Sequence, residues 1–265
     1  MRVRSGKETD RRRLAWLAAL SRSLATVLAL VLARPALADA NDYVLDLDFT
    51  GGEREIDTKL GAASAAPNGA RAAEAAAVSL GTGVNDRWFT ELYLQFASPT
   101  AANRTSGFDA ISWENVVRFA EPGEWPVDLG ALFEIERPRA GTQGLTFTVG
   151  PMLQTDVDRL QINLNLLFSR VVDGDNTIPT QMGYQFQLKY RSDPALEFGM
   201  QALGDVGSWN RWGNPEGQSH RLGPALFGRQ KLGAGRTLGY NAALLVGASN
   251  GAPNTTVRAQ LDIEF

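Results

Sequence analysis

The chain has 265 residues, of which 44% are hydrophobic and 21% charged, with no cysteine and a formal net charge of −3. This length permits one large β domain or two smaller ones, and the absence of cysteine excludes disulfides and thiolate metal sites. A mean hydropathy of −0.18 does not separate a soluble globule from a β-rich membrane protein.

The N-terminus narrows the choice. Arg2, Arg4, Lys7 and Arg11 to Arg13 form a basic region, Leu24 to Ala33 is apolar, and Ala36-Leu37-Ala38 fits the small-x-small cleavage rule. The pattern predicts a Sec-type signal peptide over 1–38 and a mature start near Asp39. The apolar stretch is too short to span a bilayer comfortably as a helix; a retained N-terminal anchor is the alternative. Without residues 1–38, which hold eight basic and two acidic residues, the chain carries 18 basic and 27 acidic residues, net −9. That acidity argues against nucleic acid or an anionic surface as partner.

Residues 39–52 hold "YVLDLDF" (Tyr43 to Phe49), which alternates and is followed by Gly51-Gly52. It reads as an N-terminal segment that extends the first strand across a bulge, or as a strand of its own. From residue 53 to residue 265 period-two alternation recurs. In "WFTELYLQF", Trp88, Thr90, Leu92, Leu94 and Phe96 share one face and Glu91, Tyr93 and Gln95 the other. "RLQINLNLLF" likewise opposes Leu160, Ile162, Leu164, Leu166 and Phe168 to Arg159, Gln161, Asn163 and Asn165. Strands are predicted near 53–61, 71–83, 88–97, 108–120, 127–138 and 144–153, then 158–171, 181–191, 195–204, 219–231, 237–247 and 256–265. Alanine-rich "RAAEAAAVSL" is a poor strand by propensity, so the count of about twelve has ten and fourteen as alternatives.

A soluble sandwich also alternates, and remains a competing reading. The predicted segments nevertheless run about 9–14 residues, the length a tilted membrane-crossing strand needs, against the usual 5 or 6. Even-numbered connections are tight ("VNDR", "EPGEWP", "QTDV", "SDP", "LGAGR") and odd-numbered ones longer. Short turns at one rim and longer loops at the other characterise a single antiparallel transmembrane β-barrel, all-β, with both termini periplasmic. "RAGTQ", the shortest odd loop, fits this rule least well.

The last strand, "TTVRAQLDIEF", alternates strictly and ends on Phe265. It resembles the terminal strand of bacterial outer-membrane β-barrels. "GVNDRWFTELYL", "FDAISWENVVRF" and "EPGEWPVDLG" resemble segments of an uncharacterised proteobacterial outer-membrane porin-like family. The resemblance implies outer-membrane lipids and the barrel-assembly machinery as partners, with Phe265 as the assembly signal. It supplies no catalytic residues. The strand itself is expected to pair with the first and close the sheet, leaving no open edge in hydrocarbon.

For chemistry, the sole histidine is His220, preceded by Ser219. Successive strand residues point to opposite faces, so these two cannot form a dyad within the strand. "DGDN" (Asp173 to Asn176) starts like a calcium loop, but its twelfth position is Tyr184 rather than a carboxylate. No cofactor and no metal are predicted. What remains is the polar face, which in a barrel lines the lumen. Glu91, Glu114 and Glu134 are expected on one wall, Lys189, Arg191 and Arg229 on the facing wall, with Arg118 and Arg258 among them. Such a transverse field could orient a dipolar or zwitterionic solute, or the side chains could pair and fill the interior. Trp88 and Trp125 fit an interfacial belt, and Trp209 and Trp212 occupy the longest loop. The leading expectation is a passive channel for small polar or amphipathic solutes. A lipid-modifying hydrolase using His220 and a non-conducting structural or adhesive barrel are the alternatives.

Overall fold

The computed structural model describes residues 42–265 except 70–71, 98–106, 141–142 and 175–178. The signal-peptide reading of 1–38 and part of the "DGDN" loop therefore lie outside the described residues. The first half of the chain contributes β1 (Arg54–Ala63), β2 (Ala73–Asn85), β3 (Trp88–Ala97), β4 (Gly107–Arg118), β5 (Asp128–Pro138) and β6 (Leu145–Val157). The second half adds β7 (Leu160–Val172), β8 (Gln181–Asp193), β9 (Leu196–Ser208), β10 (Arg211–Trp212), β11 (Ser219–Gly233), β12 (Arg236–Gly247) and β13 (Thr255–Glu264). Every long strand pairs antiparallel with its sequence neighbour, β9 pairs with both β8 and β11, and β13 returns to β1. The result is a closed barrel of twelve strands, with the two-residue β10 folded back on the end of β9. Among the described residues each of the twelve long strands is paired on both sides, the condition for strands to cross hydrocarbon.

Alternation decides which side each residue takes. Outward positions are apolar and exposed, among them Leu80 (65%), Leu92 (48%), Phe198 (55%) and Val246 (51%). Inward positions are polar and buried, including Gln161, Asn163, Gln187 and Gln201. A soluble sandwich would show the reverse, so the outer face is built to meet lipid. The alanine-rich stretch is strand after all: Ala73, Ala75 and Ala77 take part in the pairings of β2 with β1 and β3, where tertiary pairing overrides weak propensity. "QTDV" is not a turn but the end of β6, and the chain reverses at Asp158 and Arg159, with Asp158 at φ 54°.

The same dipeptide interrupts the ladder in two strands. Gly150-Pro151 in β6 and Gly223-Pro224 in β11 keep their pairing with the preceding strand but are absent from the register with the following one. Proline has no N–H to give, and glycine lets the neighbouring backbone close in. A Cβ on Gly150 would lie 1.8 Å from the Leu166 carbonyl oxygen, and one on Gly223 2.0 Å from that of Leu244. Gly150→Val must push β7 away from β6, at a cost of about 1–3 kcal/mol for overpacking a tight site. We expect a lower yield of folded barrel, read as a loss of heat-modifiable mobility in gel electrophoresis.

Candidate functional site

The segment Asp42–Thr50 belongs to no strand. It rises inside the lumen, entering where Gly51 N–H donates to Asp86 Oδ1 (2.9 Å) and Gly52 N–H to the Gly83 carbonyl (2.7 Å). It ends near the start of β11, where Asp42 pairs with Arg221. This differs from the expected strand extension, and the reason is the wall it meets. Side-chain amides from β6 to β8 supply the backbone partners that a neighbouring strand would otherwise give. Leu45 N–H donates to Gln185 Oε1 (3.2 Å), Asn165 Nδ2 donates to the Leu45 carbonyl (2.8 Å), and Leu47 N–H donates to Gln154 Oε1 (2.9 Å). Arg118 Nη1 donates to the Leu47 carbonyl (2.8 Å). A buried backbone must have its hydrogen bonds met, and here side chains meet them.

Apolar contacts fix the register. Leu47 packs with Phe89, Val116, Leu132 and Met152, inward-facing residues from four successive strands. Val44 packs with Leu203, Phe227 and Leu245 from the opposite wall. Tyr43, 1% exposed, lies under the guanidinium of Arg258 (4.4 Å to the ring centroid). Its hydroxyl is 2.6 Å from the Leu60 carbonyl oxygen and 2.8 Å from that of Ala259, a pair facing each other across the β1–β13 seam.

Beside this segment lies a cavity of about 350 Å³. It meets a wider vestibule of about 930 Å³, bordered by Pro122, Asp193, Pro194 and Lys231, along Asp48, Phe49, Glu53, Arg229 and Glu264. The vestibule residues stand at the rim of the tight turns, so the cavity opens toward that rim. On one side it is lined by Glu55, Asp57, Lys59, Glu91, Glu114, Asp262 and Glu264, and on the other by Lys189, Arg191, Glu197 and Arg229. Asp46, Asp48 and Glu53 join from the threaded segment and its end.

Of the residues expected to line the lumen, Glu91, Glu114, Lys189, Arg191 and Arg229 border this one cavity. Glu134 is on the inward face of β5 but is not among its lining residues. Arg258, 1% exposed, packs on Tyr43 of the threaded segment, and Arg118, 4% exposed, holds the Leu47 carbonyl while bordering the vestibule. Sequence reasoning singled out neither Lys59 nor Tyr93 as site residues. The Lys59 ammonium sits 4.0 Å from the Tyr93 ring centroid and 3.4 Å from Asp57, and hydrogen-bonds the Tyr93 hydroxyl. Phe265 ends the seam, its N–H donating to the Arg54 carbonyl (2.8 Å), with its side chain half exposed.

The histidine is built into loop packing. His220 Nδ1 lies 3.1 Å from the Tyr184 hydroxyl, its ring stacks on Tyr184, and Nε2 lies 2.9 Å from Gln218 Oε1. Ser249 Oγ accepts from the His220 backbone N–H (2.9 Å) and donates to the Gln218 carbonyl (2.7 Å). Both ring nitrogens thus face partners other than a serine, and no nucleophile–base pair is formed there. Trp209 packs edge-on against Phe168 (6.5 Å between centroids), while Trp212 is 64% exposed.

No family model matches the chain, and no curated protein matches it. Solved structures do. The COG4313 outer membrane channel from Pseudomonas putida F1 superposes with a TM-score of 0.59 at 12% identity, covering 86% of this chain and 99% of that one. The KdgM porin gives 0.51 at 8% identity, covering 80% and 98%. The NanC porin gives 0.52 at 12% identity, covering 79% and 98%. This chain has the fold of an outer-membrane β-barrel.

Proposed function

We propose that the protein is an outer-membrane channel that passes small polar solutes by diffusion, with the tight-turn rim and Phe265 on the periplasmic side. The expectation that both termini lie there does not hold for the N-terminal segment, which runs through the lumen from Gly51 to Asp42 beside Arg221, toward the long-loop rim. The observation that carries this reading is the charged cavity inside a lipid-faced barrel, continuous with a vestibule at one rim. The fold shared with two porins and an outer membrane channel supports it. The threaded segment narrows the lumen, which favours solutes of a few ångströms' width over oligomers. Phe265, at the end of the closing strand, is read as part of the signal taken up by the barrel-assembly machinery. A hydrolase reading gains no support, because His220 is held between Tyr184 and Gln218.

Purified protein in a planar bilayer is expected to give discrete current steps of low conductance. Their absence, with the barrel shown to be folded by heat-modifiable mobility, would overturn the channel reading in favour of a structural barrel.

A further inference from the structure

The cavity is built for a positive guest. Its lining holds ten carboxylates and four cationic side chains. Lys59 pairs with Asp57, Arg191 with Asp48, and Arg229 with Glu264. Seven of the ten carboxylates therefore lack an ion-pair partner among the described residues. Two acidic pairs face each other directly across the β1–β13 seam: Glu55 opposite Glu264, and Asp57 opposite Asp262. Like charges so placed repel; Lys59 and Arg229 offset one member of each pair, Asp57 and Glu264, and leave Glu55 and Asp262 without an ion-pair partner among the described residues.

Two further observations point the same way. The carboxylate of Glu114, a residue 8% exposed, lines the cavity with no hydrogen bond or close ion pair among the described residues, and Asp57 Oδ1 is buried without a hydrogen-bond partner. The acids are also given room by glycines on the flanking strands. Gly81 is the register partner of Glu55, and Gly239 that of Asp262. A Cβ on Gly239 would fall 2.2 Å from Asp262 Oδ1, and one on Gly81 would fall 2.5 Å from the Phe89 ring. Phe89, Tyr93 and Tyr240 add aromatic faces to the same lining. Carboxylates beside aromatic rings are the surroundings a desolvated ammonium prefers, through charge-assisted hydrogen bonds and cation–π attraction.

We propose that this cavity is a binding site for solutes bearing primary ammonium groups. Their cationic end seats against Glu55, Asp57, Asp262 and Glu114, and they arrive from the tight-turn rim. The proposal deepens the channel reading by naming the solute class, and rests on it only for the route of entry.

Calorimetry of the purified wild-type barrel with putrescine tests it without requiring conduction. Putrescine should bind and succinate should not. A Glu55→Gln/Asp262→Asn variant should bind about tenfold more weakly or worse, as expected for losing two charges around a desolvated cation. Glu216→Gln, in an exposed turn of the long loop, should leave the affinity unchanged. No binding of putrescine by wild type, or an equal loss in Glu216→Gln, overturns the proposal. Binding of calcium chloride in place of putrescine overturns it in favour of a metal site. If the double variant does not fold, the wild-type contrast between putrescine and succinate still decides. Binding without current steps in a bilayer would remove the channel reading and leave this one standing.

Discussion

Deleting residues 42–50 should raise single-channel conductance several-fold while the barrel itself still folds. The segment contributes no strand to the closed sheet, so its loss removes no backbone ladder. It does occupy the lumen from the level of Asp86 to the level of Arg221, crossing between the facing walls. Taking it out leaves Gln154, Asn165 and Gln185 facing water instead of a backbone, which polar amides tolerate. It also uncovers Phe89, Val116, Leu132 and Met152, whose re-exposure to lumen water costs about 25 cal/mol per Å² of apolar area. The deletion should therefore lower thermal stability as well as open the pore. Tyr43→Ala should act in the same direction with a smaller effect, because Leu47 and Val44 still anchor the rest. Conductance unchanged by the deletion, in a variant with native heat-modifiable mobility, would mean that the current path avoids the segment.

A second large effect is expected on ion selectivity. With ten acidic and four basic side chains in its lining, the cavity carries a formal charge of −6. A fixed charge of one sign in a narrow, low-dielectric passage raises the local concentration of counter-ions. Wild-type pores in a potassium chloride gradient should thus show a reversal potential on the potassium side. Replacing Glu55, Glu91 and Asp262 by their amides halves the formal charge, and the reversal potential should move toward zero. Lys189→Gln with Arg229→Gln should shift it the other way. Because Arg229 pairs with Glu264, that second variant also frees a carboxylate, and its shift should exceed the one from Lys189→Gln alone. Chloride preference in wild type would contradict the electrostatic picture of the site.

Much of the architecture was readable from residue order, for a simple reason. A barrel strand in lipid has one apolar and one polar face along its whole length, so period two is strong and uninterrupted. Trp88–Ala97 falls on its expected span, and the other long strands shift by a few residues at their ends. The threaded segment was harder. "YVLDLDF" alternates as well as any strand, and nothing local tells an extended segment paired to backbone from one paired to side-chain amides. The clue lay elsewhere, in inward positions that break the polar face: Phe89 beside Trp88, Val116 beside Val117, and Leu132 between Ala131 and Phe133. Apolar residues on a lumen wall need something to pack against. Charge signs were legible, as with Glu91 and Lys189, but the division of labour among the arginines was not. Whether an inward arginine grips the segment's backbone, as Arg118 does, or pairs with a side chain of it, as Arg191 does with Asp48, depends on where that backbone passes.

The place of Tyr43 has a consequence for how the molecule is assembled. Its hydroxyl touches a carbonyl of β1 and a carbonyl of β13, the two strands farthest apart in sequence and the costliest to bring together by loop closure. Once that seam is zipped, the ring is walled in on both sides and the segment has no lateral route into the interior. Entry during closure is then the lateral route, and entry after it must run lengthwise from the rim where the segment joins β1. If the segment enters as the seam closes, a pulse-labelled folding intermediate should show Tyr43 protected no later than the last pair of strands.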